Sequence, residues 1–301
     1  MKKALICALL CAISSTVTAA EKQLLWGDTH LHTTYSSDAY LSGNFTAGPD
    51  VAYRYARGMP VVHPYHRARV QIGTPLDFLV VSDHAEMLGG VRSIHRNGLD
   101  TSNLGFIDTI KAYIARYVLT DAIDSGEGRE LLVSMLPELT LTPREDALAA
   151  SMPNSDVSSL PFPPEIEIDT WNSITNYADE YNEPGVFTAL VGWEWSSIPG
   201  GANLHRVVIS DSSGKDAQSY DPFGSDDSPF PEDLWAWLEE TSAATGANFI
   251  ANPHNSNVSK GYMFDTKSLL GEAMTPDYAQ ARVKWEPIAE ITQIKVDSEA
   301  H

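Results

Sequence analysis

The residues best able to do chemistry gather first in Trp26–Tyr40, which reads WGDTHLHTTYSSDAY. His30 and His32 are two apart, so on an extended strand both imidazoles leave one face, with Cα atoms roughly 6–7 Å apart. Asp28 shares that face, and Asp38 follows in the turn. Two imidazoles and one or two carboxylates in so short a span suit a borderline divalent ion such as zinc, manganese or iron. The chain has 9 histidines, so a lone His-x-His carries modest weight and the other ligands must come from elsewhere.

They recur where strands end. Leu24–His32, Leu76–Ser82, Val186–Trp195, Leu204–Ser210, Ala247–Asn252 and Ile288–Lys295 are short apolar runs bounded by turn chemistry, the pattern of buried strands. Asp83 and His84 end the second run, Glu194 ends the third, and His254 follows the fifth in a Pro-bounded polar loop. His205 sits instead near the start of the fourth. In parallel α/β folds the loops after strand C-termini share one face, so residues distant in sequence converge there. Each has a plainer alternative: His84 could cap a helix, and His205 could be an ordinary sheet histidine. Glu194, between Trp193 and Trp195, would be costly to bury unpaired, and metal binding resolves that cost. His63, His66 and His95 lie away from strand ends and read as surface or substrate-side residues.

The spacing predicts helices over Pro49–Arg57, Ile107–Ala122, Arg129–Leu136, Asp169–Tyr181 and Pro231–Thr245, with irregular loop over Thr33–Gly48 and Pro143–Ile168. Strands alternating with helices point to a parallel α/β sheet or barrel. The stretch from about 86 to 184 lacks a comparable strand and reads either as a largely helical insertion, in the manner of a lid, or as a helical layer on the sheet. The chain stops after a strand-like run with no closing helix, so the expectation is a barrel incomplete at its C-terminus.

Lys2 and Lys3, an apolar run to Val17 and Thr18-Ala19-Ala20 form an export signal over residues 1–20, which places residues 21–301 in the periplasm or outside the cell. The apolar run is too short for a membrane span. Both cysteines, Cys7 and Cys11, fall in the leader, so a metal site must use His, Asp and Glu. The chain carries 20 basic against 40 acidic residues, a formal charge of −20 that disfavours nucleic acid and anionic membrane as partners. An anionic substrate remains compatible where metal supplies local positive charge. No G-x-S-x-G elbow, G-x-G-x-x-G fingerprint, Walker pattern or H-E-x-x-H motif is present.

The motifs GDTHLHTTYSSDA, VVSDHAE, VGWEW, NLHRVVI, NPHNSN and EITQIKVDSEAH together resemble the PHP (polymerase and histidinol phosphatase) superfamily of metallohydrolases, in an exported branch carried as a domain of unknown function. The resemblance runs from about Leu24 to His301. It implies a distorted (βα)7 barrel with two or three divalent ions at its strand ends. By motif, His30 and His32 would bind the first ion, Glu194 would bridge first and second, and His205 and His254 would complete the second. His84 would hold a third with Asp38, at a position where many relatives carry histidine. The superfamily's closing Asp-x-His motif falls beyond the last residue, so two expected ligands are missing.

The expected activity is hydrolysis of a small anionic ester, foremost a phosphoester, with Asp83 orienting a ligand or accepting a proton and Arg206, Tyr35 or Asn255 stabilising charge. Sulfate esters fit the same site, amide or lactone hydrolysis fits less well for want of a strand-terminal lysine other than Lys295, and a noncatalytic metal- or partner-binding domain is the alternative from another class.

Overall fold

The computed structural model describes residues 22–135 and 163–293. The expected leader, most of the Pro143–Ile168 loop, Lys295 and His301 lie outside the described residues. Five apolar runs pair into one sheet: β1 (Gly27–Leu31), β4 (Phe78–Val81), β5 (Thr188–Trp195), β6 (Arg206–Ser210) and β7 (Phe249–Pro253), in the order β1-β4-β5-β6-β7. A separate two-stranded ribbon, β2 (Val61–Val62) with β3 (Arg69–Val70), lies between β1 and β4 in sequence and is not anticipated by its composition.

The fold is mixed α/β, and the expectation of an all-parallel sheet is corrected at one strand. β1, β4 and β5 run parallel, whereas β6 is antiparallel to both β5 and β7. Only about ten residues join β5 to β6, too few for the crossover that parallel neighbours require, so the chain turns back as a hairpin. This reversal carries the start of β6 to the edge of the sheet where β4, β5 and β7 end. A second irregularity lies in β1, where Asp28 faces Leu79 but Leu31 faces Val81, so one extra residue bulges out between them.

The two sheet faces differ. On one, Trp193 and Trp195 of β5 pack with Trp171, Ile174, Leu234 and Leu238, all close to fully buried. These partners come from α6 (Pro164–Tyr181) and α8 (Pro231–Thr245). The indole N–H groups of Trp171, Trp193 and Trp195 donate to the carbonyls of Ala217, Phe223 and Ser228, so none of these three donors is stranded. On the other face Val80, Val207 and Ile209 form a narrow apolar patch with Leu190 and Ile250. Gly192 shares that face, and a Cβ there would stand 2.5 Å from a methyl of Val80 and 2.6 Å from the Val208 carbonyl oxygen. The glycine lets the strands curl that tightly.

The sheet must curl for a geometric reason. β1 and β7 are four steps apart, about 19 Å on a flat sheet, yet the His30 and His254 rings lie 4.0 Å apart. Side-chain reach cannot close that gap without strong curvature.

Helices differ from expectation mainly at their ends. α2 spans Pro49–Ala56, α4 Phe106–Ser125 and α5 Gly128–Met135. α6 starts five residues before the predicted Asp169, because Pro164 sits at the helix start, where a missing N–H costs nothing. The expected loop Thr33–Gly48 contains α1 (Ser37–Leu41), and α3 (Gly90–Asn97) and α9 (Pro276–Trp285) were unforeseen. α6 packs on β5 as a layer, while Tyr40, Leu41, Val91, Ile94, Leu119 and Ile123 join α1, α3 and α4 in a smaller second core. Residues 288–293 of the predicted last strand form no strand. Ile288 and Ile291 are exposed there, and the Glu290 N–H makes a single tie to the Pro253 carbonyl.

Arg206 is buried on the tryptophan side of the sheet. Its Nε donates to Glu286 at 2.9 Å, and its guanidinium lies over Trp195. Glu286 also accepts from Trp235 and pairs with Arg282. Glu286→Ala would leave the arginine charge without its partner inside the protein, so it should destabilise the fold by about 3–5 kcal/mol. Urea unfolding should show a lower midpoint at unchanged slope.

Candidate metal centre

Glu194, 1% exposed, is the hub. One carboxylate oxygen meets His30 Nε2 at 3.1 Å and His32 Nε2 at 2.5 Å. The other meets His205 Nδ1 at 2.5 Å and His254 Nε2 at 3.0 Å, with His84 Nδ1 at 3.8 Å. Asp38 stands opposite, 3.1 Å from His32 Nδ1 and 3.6 Å from His84 Nε2. All seven residues expected to bind metal therefore meet at one edge of the sheet.

Backbone pairing places each of them. His30 ends the bulged part of β1, and the bulge leaves Asp28 outside the cluster, where its carboxylate accepts from the His30 N–H. The sequence reading that put Asp28 on the same face assumed a regular strand. His84 bridges to Glu194 beyond the end of β4, held by Glu194 N–H to the Asp83 carbonyl and Ala85 N–H to the Glu194 carbonyl. Glu194 faces Val207 across the β5–β6 ladder, so His205, two residues earlier and just before β6, projects on the same side. His254 follows β7, with its N–H on the His205 carbonyl at 3.3 Å. Asp38 is fixed in the first turn of α1 by the Ser36 hydroxyl and the Ala39 N–H.

Four other expected residues do not join. Alternation sends Arg206 to the opposite face from His205, into its pair with Glu286. Tyr35 points away, its hydroxyl 3.0 Å from that of Ser173. Asp83 lies beneath the cluster and accepts from both the N–H and the hydroxyl of Thr33, so it anchors the residue after His32 rather than touching an imidazole. Asn255 accepts from the Gln293 amide.

Glu290 is a cluster residue that the sequence did not single out. Its Oε2 lies 3.0 Å from His30 Nδ1, while its Oε1 is buried without a partner. The only sequence signal is an acid inside the short apolar run IAEITQIK.

Burial and charge oppose each other throughout. Burial pushes the Glu194 carboxyl up, but the imidazoles of His84, His254, His32 and His205 outweigh it and hold the group well below the usual carboxylate range. Burial opposes protonation of His32, yet Asp38 and Glu194 hold it well above an ordinary imidazole. His30 and His84 are also raised, against burial, by their carboxylate neighbours. For His254 burial wins and pushes it down to about 4. Asp83 is pushed up to about 6 by burial, against the Thr33 hydrogen bonds.

These residues fit a metal ion. Three overlapping sets, His30–His32–Glu194, His32–Asp38–His84 and His84–Glu194–His205, each bring candidate ligand atoms within 4.8 Å of one another. His205 Nε2 and His254 Nδ1 are buried with no partner, and orphaned imidazole nitrogens beside a buried carboxylate are what a cation would satisfy. Carboxylates on the far nitrogens of His30 and His32 match the usual second contact of metal-binding histidines.

The profile of a protein family described as a protein of unknown function, DUF3604, matches residues 19–301. The chain belongs to the DUF3604 family. No curated protein and no solved structure matches it. The DUF3604 match spans every residue of the cluster, so the centre lies wholly inside the family region.

Two outcomes follow for the centre. Glu290→Gln should weaken divalent-ion affinity by about 10–100-fold, as loss of such an outer carboxylate does elsewhere, read by competition with a chromogenic chelator. Titrating manganese or zinc into metal-stripped protein should raise Tm, by about 2.7 kcal/mol of stabilisation at a hundredfold excess over Kd. Glu194→Gln should abolish that rise. Because the carboxylates hold protons on His30, His32 and His84, binding should release protons and tighten as pH rises above neutrality.

Proposed function

We propose that this chain is an exported metal-dependent hydrolase of small anionic esters, foremost phosphoesters, built on a distorted PHP-type (βα)7 barrel of which the described sheet is part. The observation that carries this reading is the sharing of Glu194, His32 and His84 among three ligand sets. Such sharing suits two or three ions held close together rather than one structural ion in a closed site. A donor set of nitrogen and oxygen without thiolate suits manganese, zinc or iron.

His30, His32 and Glu194 would hold one ion, and Glu194 with His205 and His254 a second. Asp38 and His84 would hold the third. Bound ions would supply Lewis-acid stabilisation of the ester oxygens and an acidified water.

The rest is the chain's own work. Glu194 fixes four imidazoles in register. Glu290 and Asp38 hold the outer nitrogens of His30 and His32 and so set which nitrogen faces inward. Asp83, through Thr33, stops the strand end from moving away. Tyr65, whose phenol burial and the Asp38 charge push up, belongs to the β2–β3 ribbon tip and stands on the substrate side with His63 and His66. The net charge of −20 would repel an anionic ester, so the positive charge of the centre is what makes that substrate class reachable.

The test is a panel of chromogenic phosphate monoesters, phosphate diesters and sulfate esters, run with protein loaded with manganese or zinc. Phosphoester turnover that falls to background in the His30→Ala/His32→Ala variant supports the proposal. Preference for the sulfate esters would move the activity to sulfatase. No turnover of any ester by protein carrying its full metal complement would make the domain a noncatalytic metal-binding module.

A further inference from the structure

Away from the histidine cluster, the described residues concentrate positive charge in one place. A cavity of about 340 Å³ lies between the segment after β1, the start of α2, and α3, and is lined by Thr34, Tyr35, Phe45, Arg92, Arg96 and Tyr177 among others. A second cavity of about 520 Å³ adjoins it, sharing Thr46 and Val51, and is lined by Arg54, Arg67 and Arg69. Five arginines thus line these two neighbouring cavities, together an arginine cleft, in a chain with 20 basic and 40 acidic residues.

Among the described residues no carboxylate lies within ion-pair distance of Arg67, Arg69, Arg92 or Arg96, while Arg57, Arg206 and Arg282 elsewhere are each paired. Asp50 lines the cleft too, but Tyr181 takes one of its oxygens and Arg54 the other. Arg92 and Arg96 are four apart on α3, so their like charges lie on one helix face and repel. Arg92 lies over the Tyr35 ring at 4.8 Å, and its Nε is buried without a partner. Arg96 donates one N–H to the Phe45 carbonyl and keeps its other donors. A buried guanidinium N–H with nothing to donate to is costly unless an acceptor arrives.

The chain also links the cleft to the centre. Thr34 and Tyr35 come two and three residues after His32. The β2–β3 ribbon that carries Arg67 also carries Tyr65, which feels the Asp38 charge.

We propose that this arginine cleft binds a second anionic group of the ester substrate, so that the substrate is an ester carrying at least two negative charges. The proposal rests on the hydrolase reading for the word substrate, but anion binding in the cleft stands apart from it. A planar guanidinium suits phosphate, sulfate and carboxylate oxygens alike. The shared chemistry is therefore a compact oxyanion.

Calorimetric titration of the full chain, stripped of metal and dialysed free of chelator, tests this with inorganic phosphate, inorganic sulfate and citrate as probes. At least one should bind saturably, and the strongest of the three tells phosphate-like from carboxylate-like partners. The variant R92Q/R96Q should lose about tenfold or more in affinity, the scale of one lost charged hydrogen bond. R92K/R96K, which keeps the charge but loses the planar fork, should lose clearly less affinity than R92Q/R96Q. Absence of saturable binding by the parent chain overturns the proposal, as does unchanged affinity in R92Q/R96Q, because the histidine cluster would then be the anion site. Equal loss in both variants also overturns it, since that pattern reports damage to α3.

In metal-loaded protein, R92Q/R96Q should raise KM for a phosphate ester bearing a carboxylate by a larger factor than KM for 4-nitrophenyl phosphate. Anion binding without turnover of any ester would refute the hydrolase reading and leave the cleft intact. Turnover without anion binding would do the reverse.

Discussion

The rest of this structure depends on one buried carboxylate. Glu194 sits almost out of reach of water, where an ionised group without partners would be prohibitive. Four imidazoles from three parts of the chain contact it, and a fifth stands 3.8 Å away. That requirement explains the curl of the sheet, the tight approach at Gly192 and the bulge in β1. Each brings a strand end within side-chain reach of the same two oxygens. Remove the carboxylate and the histidines become a cluster of mutually repelling or stranded groups.

The two sides of the sheet divide the labour. The tryptophan side is apolar, with each of the three indole N–H groups described satisfied, and it holds the buried Arg206–Glu286 pair. The other side is thin, its small apolar patch topped at one edge by the polar cluster. Stability thus comes mainly from one face, and the other is free to carry groups that resist burial.

Much of this was legible in the sequence, for physical reasons that can be traced. His30, His32, His84, Glu194 and His254 stand at the ends of apolar runs, and strand ends on one face are where side chains converge. His205 was legible as a residue but not as a position, because a two-residue period states nothing about strand direction. Only the short β5–β6 connection hints at the reversal that puts it in place. Arg206 was misplaced although alternation alone opposes it to His205, and Tyr35 was misplaced because a turn, unlike a strand, sets no side-chain direction. Glu290 stayed hidden because it lies in no strand end, and its partner is 260 residues away. The ion pairs of the arginines, or their lack, are likewise a tertiary property that spacing does not encode.

The hairpin reversal of β6 has a consequence for how the centre comes into being. Glu194 and His205 are separated by 11 residues, and β5, β6 and β7 are neighbours in sequence as well as in space. The Glu194–His205 part of the ligand set closes over one short loop, at small entropic cost, and can form early. His30 with Glu290 instead joins the two extremes of the described chain. A folding molecule therefore acquires a local half-site first, and a complete one only when β1 and the segment after α9 dock on opposite edges of the sheet. Ion affinity then becomes a late reporter of correct closure, and metal in solution acts on the final step of folding more than on the first.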